Sequence, residues 1–76
     1  MSEQTEPTHE AQKSLVQNKL LVWQNTLYDA QLDAQVAKLT EDNAMLEAAQ
    51  RRIKQAIQAV ELMKELQEKL NATESG

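Results

Sequence analysis

The hydrophobic residues of this chain recur at alternating steps of four and three. Val16, Leu20, Trp23, Leu27, Ala30, Ala34 and Ala37 form one run. Leu46, Ala49, Ile53, Ala56, Val60, Met63 and Leu70 form a second, with Gln67 its one polar exception. On a helix of 3.6 residues per turn, this spacing gathers each run onto one side. Between the runs lies Lys38-Leu39-Thr40-Glu41-Asp42-Asn43. Whether the helix passes through this stretch or stops there decides the architecture.

A single long helix would place Leu32, Leu39, Leu46, Ile53 and Val60 at every seventh residue, the spacing of a leucine zipper. Its companion core column would read Asp29, Val36, Asn43, Gln50, Ile57, Lys64. Most of that column is polar or charged, and a coiled-coil seam tolerates one such residue at a cost, not a majority. Residues 24–35, where a basic DNA-contacting region would precede the heptads, hold two Asp and neither Lys nor Arg.

Folding back near residues 39–42 instead joins positions whose numbers total about 80, as in an antiparallel αα-hairpin. Ala34 then meets Leu46, Ala30 meets Ala49 and Leu27 meets Ile53. Trp23 meets Ala56, Leu20 meets Val60 and Val16 meets Met63. Every position is apolar, and the largest side chain faces one of the smallest, which suits void-free packing. Thr40 followed by two acids reads as a helix start, and Lys38 suits the end of the helix before it. No Gly is present to end that first helix, which counts against the turn. Further upstream, Pro7, Thr8 and Glu10 suit the opening of the first helix.

The expected fold is therefore all-α: an antiparallel two-helix hairpin, about 8–38 and 41–71, preceded by a flexible acidic leader (1–7) and followed by a polar tail (72–76). The alternative is one long helix in a parallel coiled-coil dimer. Composition sharpens this. Seventy-six residues allow one small domain, and the middle is rich in Ala, Leu, Gln, Glu and Lys, all strong helix formers. With two aromatic residues, Trp23 and Tyr28, the hairpin core is small. Two helices alone are marginal, so further burial by association into a helical bundle is expected.

A surface for that association is visible. Leu21, Tyr28, Leu32, Val36 and Leu39 form a second stripe on the first helix, roughly 100–140° round from the first stripe at about 100° per residue. Ile57, Leu62 and Leu66 do something similar on the second helix. Apolar patches of this kind mark interaction surfaces, so these eight residues are the candidate protein interface. The expected partners are a second copy of the chain and another protein.

Charge and chemistry add less. Twelve acidic and eight basic residues give a net charge of −4, against the basic face of a dedicated nucleic-acid binder. Arg51, Arg52 and Lys54, following Glu47 by one turn, are the only basic cluster. They would carry nucleic-acid contact in the alternative functional reading, and a solvated, salt-bridged face in the plainer one. The absence of cysteine excludes disulfides, zinc–thiolate sites and thiol catalysis. Glu6-Pro7-Thr8-His9 has the Glu-x-x-His spacing of di-iron bundles, but at a helix end beside a proline. Asp29 and Asp33, one turn apart, could hold a hard cation, yet no other ligand converges on them. His9 is the only histidine, and there is no Ser-His-Asp set or Gly-rich phosphate loop.

No catalytic residue, cofactor or metal is therefore expected. The longest apolar run, Leu20-Leu21-Val22-Trp23, is too short to span a membrane, and no apolar run follows a basic start. A cytoplasmic location is expected. The expected function is non-enzymatic: a self-associating helical protein–protein interaction module acting as an assembly, scaffold or adaptor subunit of a larger complex. The alternative is a small nucleic-acid-binding regulator.

Overall fold

A computed structural model describes residues 7–75. The chain folds back. Helix α1 spans His9–Thr40, helix α2 spans Asn43–Ser75, and the two pack side by side as a hairpin. They contain 32 and 33 residues, so each is about 48–50 Å long at 1.5 Å per residue. The zipper arrangement is not adopted.

The start of α1 follows its local chemistry. Thr8 is the N-cap in an extended conformation, and its Oγ1 accepts from the Ala11 backbone N–H at 3.1 Å. Gln12 donates its backbone N–H to the Thr8 carbonyl at 2.9 Å and its side-chain amide to the Pro7 carbonyl at 3.0 Å. Glu10 lies in the first turn, where its charge favours the positive end of the helix.

The turn lies two residues later than the sequence suggested, and its residues have different roles. Thr40 does not open α2. It is the last residue of α1, and its hydroxyl donates back to the Val36 carbonyl at 2.9 Å. Glu41 follows in the left-handed region, φ 58 and ψ 38. The Asp42 N–H donates to the Ala37 carbonyl at 2.9 Å, and the Glu41 N–H to the Lys38 carbonyl at 3.2 Å. These two bonds form a Schellman motif, with Glu where Gly is usual. Asp42 then caps α2: its Oδ1 accepts from the Met45 N–H at 3.1 Å. One residue thus closes the first helix through its N–H and opens the second through its side chain. Asp is also the stronger N-cap of the two candidates, ahead of Thr.

Helix α2 also runs further than expected. The stretch from Ala72, expected as a polar tail, is helical through Ser75. No Gly or Pro interrupts it, and the Thr73 hydroxyl bonds to the Lys69 carbonyl at 2.9 Å. Lys64 and Lys69 consequently lie inside the helix, and its last turn has no basic residue. The acidic leader up to Glu6 lies outside the described residues.

The core is an alanine seam. Ala30, Ala34, Ala37, Ala49, Ala56 and Val60 are buried, and among the described residues no large side chain is fully enclosed. The remaining residues of both predicted stripes are half-buried: Val16, Leu20, Trp23 and Leu27 on α1, and Leu46, Ile53, Met63 and Leu70 on α2. Two helices can bury a methyl group between them, but a third layer is needed to surround an indole or an isobutyl group. Trp23 contributes to the seam without being sealed in it.

Candidate interaction surface

The outward side of α1 is apolar. Leu21, Tyr28, Leu32, Val36 and Leu39 are all exposed, from 41% for Leu32 to 85% for Leu39. Leu15 and Val22, outside the stripe expected from the sequence, are exposed as well and extend the same surface towards the N-terminus. Their signal was present: Leu15, Val22 and Val36 belong to one seven-residue column, broken only by Asp29. At about 100° per residue, six of the seven side chains fall within ~70° of the point directly opposite the α2-facing stripe, and Leu15 lies at the edge of that side. The second stripe is therefore on the back of the hairpin rather than on its flank.

Helix α2 does not match it. Leu66 is half-buried, and Ile57 and Leu66 lie on opposite flanks of the interhelix stripe. Leu62 is exposed further out. These three do not form one continuous surface. The outward side of α2 carries Glu47, Arg51, Lys54, Glu61, Glu65 and Glu68, all exposed. The hairpin thus has one charged back and one apolar back.

Asp29 and Asp33, one turn apart on α1, share a cation from the same chain. The Arg52 guanidinium reaches across the hairpin, with Nη1 3.4 Å from Asp33 Oδ2 and Nη2 3.6 Å from Asp29 Oδ2. This contact agrees with pairing Ala30 near Ala49 and Leu27 near Ile53, since Arg52 and Asp29 adjoin those residues. It also separates Arg52 from the basic cluster. Arg51 and Lys54 remain beside Glu47 and Gln50, around a shallow depression of about 380 Å³ formed entirely by α2. With an acid among its four lining residues, the depression offers no concentrated positive field.

His9 begins α1 half-buried, and its Nε2 is enclosed without a hydrogen-bond partner among the described residues. The Glu6 of its Glu-x-x-His spacing lies outside those residues. Among the described residues, no three His, Cys, Asp or Glu side chains converge as metal ligands. Nor is any helix of the described residues long and apolar enough to cross a membrane. Comparison of the chain with protein families, with curated proteins and with solved structures returns no match.

Proposed function

We propose that the chain is a non-enzymatic helical interaction module that self-associates and serves as an assembly, scaffold or adaptor subunit. One observation carries this reading: α1 is apolar on two opposite sides, and α2 covers only one of them. A helix that is hydrophobic all round belongs in an interior. Here half of that interior is missing. The small seam supports the same conclusion, because a hairpin that fully buries only alanines and a valine gains little from its own core.

The test is the mass of the protein in solution, measured by light scattering after gel filtration. The intact chain is expected as an oligomer. Leu32→Glu combined with Val36→Glu is expected to be monomeric with helix content retained, since both side chains are exposed in the hairpin. A monomeric intact chain at high concentration would refute self-association. Loss of helix content in the double variant would show instead that these positions belong to the fold itself.

A further inference from the structure

We infer that the apolar back of α1 is covered by α1 of a second copy, running antiparallel, with the two-fold axis at the level of residues 27 and 28, beside Tyr28. This rests on the self-association reading and names its geometry. The area fits first: from their fractional exposures, the seven outward side chains present roughly 700 Å², near the ~800 Å² each partner contributes to a standard interface.

Charge fits next. Each copy has a net charge of −4, so two copies meet most easily where neither presents charge. Between Ala11 and Leu39, the charged residues on the outward side of α1 or at its edge are Asp29 and Asp33, and the Arg52 of its own chain is held against both. The polar residues on that side are Ser14, Asn18, Asn25 and Gln35. An amide both donates and accepts, so such a surface is complementary to itself. The back of α2, by contrast, is densely charged and suits water.

Direction follows from register. Leu15, Asn18, Val22, Asn25, Asp29, Leu32, Val36 and Leu39 are themselves spaced by alternating threes and fours, a second seam opposite the first. Paired in parallel, each residue meets its own mate, and Asp29 lies against Asp29. Paired antiparallel, Leu15 meets Leu39 of the second copy, Val22 meets Leu32, and Asp29 meets the Asn25 amide, which can donate to it. Asn18 against Val36 is the weakest layer. Tyr28, just beside this seam, adjoins its own mate near the axis. Because the two seams of α1 are opposite one another, the dimer is a row of four helices, α2–α1–α1–α2, rather than a square bundle.

Single cysteines test this in a chain that has none of its own. Leu15→Cys and Leu39→Cys are prepared separately, oxidised alone and as an equal mixture, and resolved by mass. The antiparallel dimer predicts a 15–39 disulfide in large excess in the mixture and little product from either variant alone. Abundant self-linked product from each variant would overturn the antiparallel arrangement. If gel filtration shows the intact chain to be a dimer but no disulfide forms in any sample, the dimer uses another surface: the inference falls and self-association stands. If the intact chain is monomeric, both fall. Both substitutions are at exposed positions, so retained helix content in each variant separates a failed contact from a failed fold.

Discussion

Glu41 carries the sharpest local conflict in the chain. An L-residue with a Cβ in the left-handed region is crowded against its own carbonyl, at a cost of roughly 1–2 kcal/mol that Gly does not bear. The hairpin needs that conformation, because the two Schellman hydrogen bonds reverse the chain within two residues. Glu41→Gly is therefore expected to raise stability by about 1 kcal/mol, after allowing for the greater freedom of Gly in the unfolded chain. Urea unfolding followed by circular dichroism measures it, and a destabilised variant would contradict the assigned backbone geometry. The position was hard to read from the sequence. The missing Gly counted against a turn, and Thr40 looked like a cap because its hydroxyl could serve either helix. In the structure it bonds back into α1, while Asp42, with the higher cap preference, opens α2.

The interhelix stripes are the most legible elements. Their three-four spacing alone assigned every buried alanine and Val60 to the seam, since a side chain's direction on a helix depends on little besides its position. Ala30 and Ala56 have no exposed surface at all, so nothing larger fits there without parting the helices. Ala56→Leu is expected to destabilise by about 1–3 kcal/mol through overpacking, whereas Ala48→Leu on the exposed side should change stability by less than ~0.5 kcal/mol. Similar losses from both in denaturant unfolding would mean that the seam is elsewhere. The Arg52 bridge was less legible, because Asp29 and Asp33 are near Arg52 only once the chain has turned. All three side chains are substantially exposed, so a double-mutant cycle on Arg52 and Asp33 should give a coupling below about 1 kcal/mol. It should shrink further at ~1 M salt, where the Debye length is near 3 Å. A coupling that persists undiminished in salt would point to a buried pair.

At the scale of the whole molecule, the two helices divide the work. Helix α2 has one apolar side, which covers α1, and one charged side, with Ile57 and Leu62 exposed between them. Helix α1 has two apolar sides, and the hairpin satisfies one. The spacing of the second apolar set on α1 alone puts it roughly 100–140° from the first, on the flank. Allowing for the slow rotation of the stripe along the helix puts it on the back instead, and draws in Leu15 and Val22. On α2, the expected group of Ile57, Leu62 and Leu66 is divided by the fold: Leu66 is half-buried, while Ile57 and Leu62 are exposed. A residue's membership of a surface thus depends on where its neighbours' side chains go, beyond its own hydrophobicity.

All of this depends on the chain folding back at Glu41 and Asp42, since a continuous helix would return the outward residues of α1 to a coiled-coil seam. The most direct measurement is intramolecular proximity across the hairpin. Leu20→Cys with Val60→Cys is treated with a short thiol crosslinker at high dilution, and the denatured product is weighed. The hairpin predicts crosslinked chains of monomer mass. Crosslinking only between chains, or none in a protein that retains its helix content, would contradict it.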